Sequence, residues 1–264
     1  MVYTLLSKEN TKVPNKNPDG KIERSNIHPN SWYFIMPIIL LFTAVLFSQL
    51  FILLYSSSGA IPSGKNLINI TSTEFLLITA TQAIVFILVI SFYVKKFNIP
   101  IFDVKAVLKI RVILIAFLGI IIFLFFISIL VKLFDIHVKQ FKFININIFR
   151  KSSFSFYLAT SIIAPIYEEY VFRGVILGSI LKIKKDPSKL YVVLSLIFSS
   201  FLFAIVHFDF EAFLPIFFLG LYLGALALYR QNIMLPITIH LLNNLLATTN
   251  LLYPEIFPSF SFFR

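Results

Sequence analysis

The chain has 264 residues, of which 58% are hydrophobic and 13% charged, against about 45–50% and about 25% in a soluble globular domain. Apolar surface on that scale, with 32 Phe and long runs of Ile and Leu, exceeds what a water-soluble core of this size covers and requires lipid. The absence of Cys excludes disulfides, thiolate metal sites and cysteine nucleophiles; the net charge of +11 lies in short stretches between apolar runs, where it suits anionic headgroups rather than nucleic acid.

Residues 1–31 are polar, carry Lys8, Lys12, Lys16, Lys21 and Arg24, and read as a cytoplasmic tail. The run Trp32 to Tyr55 is longer than the 7–15-residue core of a signal peptide and reads as an uncleaved anchor. Further spans are predicted at 75–94, 112–134, 154–181, 190–207, 212–229 and 234–252, each near the ~20 residues that a bilayer core needs. The fold class is thus an all-α polytopic transmembrane bundle of about seven to eight spans. Its parts are the tail, N-terminal spans with an interfacial segment (32–150), a C-terminal helix bundle (151–252) and a short tail (253–264). No repeat or soluble domain is visible.

Basic residues crowd the tail, 95–111 and 182–189, which fall on one side by alternation and place the N-terminus in the cytoplasm. One loop departs from that rule: 132–151 carries Lys132, Lys139, Lys142, Arg150 and Lys151 on the other side. Within it, 141–149 alternates apolar and polar residues, as an interfacial segment would. Abundant Asn, Lys, Ile and Phe point to an AT-rich bacterial genome, and so to a bacterial cell membrane.

Charged groups in hydrocarbon are costly and mostly functional. Here they are confined to Glu168, Glu169 and Arg173 on the fourth span, joined by His207 and His240 on later ones. Glu169 and Arg173 are four apart and can pair on one helix face, while Glu168 points about 100° away, toward the bundle interior. A desolvated carboxylate there is suited to general-base work. Pro165 frees a backbone carbonyl one turn earlier. Phe203 shares a face with His207, and His240 with Asn244; Asn243 points elsewhere and suits a helix–helix hydrogen bond. Taken singly, each has a bland reading as an ion pair, an interfacial histidine or a core aromatic. On three spans of one bundle, the cheapest polar partners are one another.

The series Glu168-Glu169-x-x-x-Arg173, Phe203-x-x-x-His207 and His240-x-x-x-Asn244, within about 150–250, resembles the signature of the CAAX-protease and bacteriocin-processing (Abi/CPBP) intramembrane protease family. The resemblance implies peptide-bond hydrolysis inside the bilayer. Glu168 and His207 would activate water, His240 and Asn244 would form an oxyanion hole, and Glu169, Arg173 and Phe203 would support them. It also admits a zinc ion on Glu168, His207 and His240. With no further carboxylate free to act as base, the metal-free chemistry is the expectation and no cofactor is required. The partners are the bilayer and a peptide: a CAAX-type tail, a bacteriocin leader, a pheromone precursor or a membrane-protein segment. A non-catalytic immunity or peptide-binding protein and, less so, a proton-coupled transporter use the same residue types, although the paired repeats of transporters are missing. If the fifth and seventh spans start at one membrane face, His207 and His240 differ in depth by roughly 15 Å; tilt, a start near Val193, or a re-entrant 209–215 segment would close that gap.

Overall fold

The computed structural model describes residues 71–96, 102–103, 108–133, 146–184, 186–209 and 212–256, together with Ile35 and Ile39. The predicted N-terminal tail, nearly all of the first predicted span and residues 257–264 lie outside them. The described residues form an all-α membrane bundle of seven helices: α1 (Ser72–Lys96), α2 (Ile110–Leu133), α3 (Ile146–Lys151), α4 (153–183), α5 (Lys189–Ile205), α6 (Phe213–Arg230) and α7 (Met234–Leu252). α1, α2 as far as Ile127, and α6 are each long and apolar enough to cross a bilayer. The described part of the predicted interfacial segment, 146–149, belongs to α3.

The helices are apolar on the outside. α1 exposes Leu77, Ile84, Leu88 and Phe92 while burying Thr79, Ala83, Phe86 and Ile90. Its outer face is at least as apolar as its inner one, the reverse of a helix facing water. That surface needs lipid, and the polar residues are left to meet inside.

α4 is the axis of the bundle, lined by α1, α5 and α7. It is continuous but not uniformly α-helical, since wider π-helical turns occupy Leu158–Ile163 and Tyr170–Leu177 on either side of an α-helical turn, Ala164–Glu169. Single π turns often mark functional sites, and here they bracket the two glutamates. The second π segment is buried from Val171 to Leu177, and Ser199 of α5 donates to its Phe172 carbonyl at 3.0 Å.

α5 and α6 approach closely because α6 has no Cβ at two contact points. A Cβ on Gly220 would lie 3.0 Å from Ser200 Cβ, and one on Gly224 would lie 2.3 Å from Leu196 Cδ1. Gly220 and Gly224 form a small-x-x-x-small pair of the kind that lets membrane helices touch.

The depth of α7 follows from a short inserted segment. Phe102, buried with Leu177, Leu181, Ala227 and Ile233, donates its N–H to the Gly174 carbonyl at 3.2 Å, and the Ile233 N–H donates to the Asp103 carbonyl at 3.0 Å. The start of α7 is therefore pinned beside Gly174, nine residues before α4 ends at Ile183, or roughly 14 Å at the α-helical rise. α5 starts at Lys189, beyond that end. The two helices do not begin at one face, and this offset accounts for the expected mismatch between His207 and His240. The start proposed at Val193 is not what closes it.

Arg150 explains part of the misplaced basic loop. Its Nε donates to the Leu252 carbonyl at the end of α7, where a cation complements the helix dipole, and its guanidinium meets Glu255 at 3.7 Å.

Candidate active site

Glu168 and Glu169 are neighbours with opposite environments. Glu169 is fully buried, and its Oε1 accepts from Arg173 Nη1 at 2.7 Å and from His240 Nδ1 at 2.8 Å. Its Oε2 is buried without a partner among the described residues. Glu168 keeps 14% of its side chain exposed, with Oε2 3.7 Å from His240 Nε2, beyond a direct hydrogen bond. One carboxylate is tied down and the other is accessible, as the four-residue spacing of Glu169 and Arg173 led one to expect.

Arg173 is engaged on three sides. Besides Glu169, its Nη2 donates to the Gly220 carbonyl at 3.1 Å, and its guanidinium lies 4.3 Å from the centroid of the Phe203 ring. The absence of a side chain at Gly220 leaves that carbonyl reachable. Phe203 also stands edge-on to His207 at 4.9 Å and to His240 at 5.8 Å between centroids. Its ring is shared by the cation and both imidazoles.

His240 has a defined tautomer. Its Nδ1 carries the proton given to Glu169, so in the neutral ring Nε2 is the acceptor that faces Glu168. It donates on both sides only as the imidazolium.

Asn244 is half-buried, and its Nδ2 donates to the Thr160 carbonyl at 2.9 Å. Asn243 donates to Asn244 Oδ1 at 3.3 Å, a bond within α7 rather than between helices. Thr160 and Thr248 were missed by sequence reasoning: their hydroxyls meet at 3.0 Å, and Ser161 reaches Thr248 at 3.4 Å. Thr248 lies four residues after Asn244, and that spacing is the signal that would have found it.

His207 departs from expectation. It is exposed, not buried, and its Nδ1 lies 2.6 Å from the Phe203 carbonyl. α5 ends at Ile205, and Phe208 takes a left-handed φ of 51°, which turns the chain away just past His207. Among the described residues no three His, Cys, Asp or Glu stand close enough together to hold a metal ion. Glu168, His207 and His240 therefore do not fit as a ready-made zinc set.

Residues 150–246, which hold all of these positions but Thr248, match the family described as type II CAAX prenyl endopeptidase Rce1-like. Over 102 residues the chain is 35% identical to the membrane-embedded CAAX protease MroQ of Staphylococcus aureus (strain USA300). Through this region the chain is similar to the Rce1-like CAAX proteases. The aligned part is 38% of the chain and spans about two fifths (41%) of the length of that relative. No solved structure matches the chain. The Rce1-like region begins at Arg150 and covers α4 to most of α7, whereas α1 and α2 lie outside it. α1 nonetheless lines the region: Phe86 stacks on Tyr167 at 5.9 Å with an interplanar angle of 8°, and Ser91 hydrogen-bonds Tyr170 at 2.9 Å.

Proposed function

We propose that the chain is an intramembrane endopeptidase of the bacterial cell membrane that hydrolyses a peptide bond in a membrane-associated peptide, without a metal. The observation that carries this reading is the contrast between the two adjacent glutamates. Glu169 is held by Arg173 and His240, while Glu168 is partly exposed beside them.

Glu168 takes a proton from water, and the resulting hydroxide attacks the carbonyl carbon. His207, at the open edge beyond Phe203, assists that transfer once substrate draws the edge together; catalytic hydrogen bonds commonly tighten only in the substrate complex. The oxyanion accepts from the second N–H of Asn244 and from Nε2 of the His240 imidazolium, and donors of this type contribute roughly 2.7–4 kcal/mol each. Glu168 then returns its proton to the leaving nitrogen as the C–N bond breaks. Arg173 and Phe203 fix the walls within which this happens.

The test is cleavage of a membrane-associated peptide by the purified full-length chain in liposomes. Glu168→Ala and His207→Ala are expected to abolish cleavage, and a chelator to leave the parent rate unchanged. Cleavage by both variants at the parent rate would overturn the proposal, and loss of activity with the chelator would overturn its metal-free form.

A further inference from the structure

In the first π-helical segment of α4 the Ala164 N–H reaches back five residues to the Ala159 carbonyl. Carried on by one residue, this register would pair the Thr160 carbonyl with the N–H of residue 165. That residue is a buried proline, which has no N–H to give. On that register the Thr160 carbonyl has no backbone donor, in a setting where unmade hydrogen bonds are costly. Asn244 of α7 supplies the donor through Nδ2 at 2.9 Å.

Three further contacts fix the group. Asn243 Nδ2 holds the amide oxygen of Asn244 at 3.3 Å, which settles which end of the carboxamide faces Thr160. One turn along α7, Thr248 engages the Thr160 hydroxyl at 3.0 Å and the Ser161 hydroxyl at 3.4 Å, so α7 cannot slide along α4. A carboxamide nitrogen carries two hydrogens. With one engaged by Thr160, the planar group directs the other along a single line.

We propose that Pro165 is a positioning residue for Asn244: by withholding one backbone N–H, it leaves the Thr160 carbonyl as the fixed acceptor that aims the free amide hydrogen at the developing oxyanion. This rests on the peptidase reading above. A proline that merely bent α4 would act without regard to Asn244, and that difference is measurable.

Pro165→Ala restores the missing N–H with the residue of highest helix propensity; Pro165→Gly restores it as well and serves should the alanine variant not fold. Two measurements on the full chain in detergent decide the matter. In protein labelled with 15N-asparagine, the Asn244 side-chain amide pair, identified by its loss in Asn244→Ala, is expected to shift in Pro165→Ala. In peptide cleavage, Pro165→Ala is expected to lower kcat about 10-fold or more with KM within about 2-fold, since misplacing a transition-state donor acts on kcat. In the Asn244→Ala background the same change is expected to cost less than about 2-fold. An unmoved amide pair, or an equal loss in both backgrounds, would overturn the proposal. If the parent cleaves no peptide the peptidase reading falls, while the amide resonance still reports whether Pro165 orients Asn244.

Discussion

Arg173 is where the site and the stability of the bundle meet. Arg173→Ala removes the partner of a carboxylate that is itself completely buried. Glu169 Oε1 would keep only His240, Oε2 already has no partner among the described residues, and the Gly220 carbonyl would lose the guanidinium hydrogen bond made at 3.1 Å. Removing one member of a buried ion pair costs about 3–5 kcal/mol, whereas the Gly220 carbonyl, inside α6, keeps its helical donor. The expected loss is therefore about 4 kcal/mol, a large share of a typical total of about 5–15 kcal/mol. Arg173→Lys keeps the charge, but one ammonium does not span Glu169 and Gly220 as the planar fork does, and an intermediate loss is expected. Arg173→Met with Glu169→Gln removes both charges while keeping an amide oxygen for His240, and is expected to recover most of the stability. The assay is thermal unfolding of the purified chain in detergent, where about 4 kcal/mol corresponds to roughly 10 °C. A single variant that melts with the parent, or a double variant no more stable than Arg173→Ala, would refute the reasoning.

Other expected outcomes rest on separate contacts. Gly220→Ala should destabilise by about 1–3 kcal/mol, because the new Cβ meets the Ser200 backbone at 3.2 Å and the Phe203 ring at 3.3 Å. Gly224→Ala should cost less despite its closer 2.3 Å approach, because it meets only the far end of Leu196, which can rotate away; thermal unfolding of the pair checks that order. Tyr170→Phe removes the hydrogen bond to Ser91 and should lower stability by about 0.5–1.5 kcal/mol, a change that Ser91→Ala in the same protein should not deepen. His207→Ala should leave the melting temperature unchanged, since the ring is exposed, while abolishing peptide cleavage.

The helices were legible because each is a long apolar run with polar ends. The predicted 75–94 corresponds to Ser72–Lys96 and the predicted 234–252 to Met234–Leu252, and hydropathy alone carries that much. The pairing of Glu169 with Arg173 was legible for a local reason, since residues four apart meet on any helix. What could not be read is what depends on other segments. The depth of α7 is set by Phe102 and Asp103, more than a hundred residues upstream of Ile233. The partner of Asn244 is a backbone carbonyl, which no side-chain pattern marks. The exposure of His207 depends on where α5 stops, and the left-handed turn at Phe208 uses a residue that carries no turn signal.

The division of labour between the two glutamates is the centre of the account. Its most direct test compares peptide cleavage by Glu168→Gln with that by the parent chain, in the same liposomes and at matched melting temperature. Loss of a general base should lower kcat by about 10²–10⁴-fold while the protein stays folded, because Glu168 is partly exposed and glutamine keeps its shape. Cleavage by Glu168→Gln at the parent rate would contradict the account.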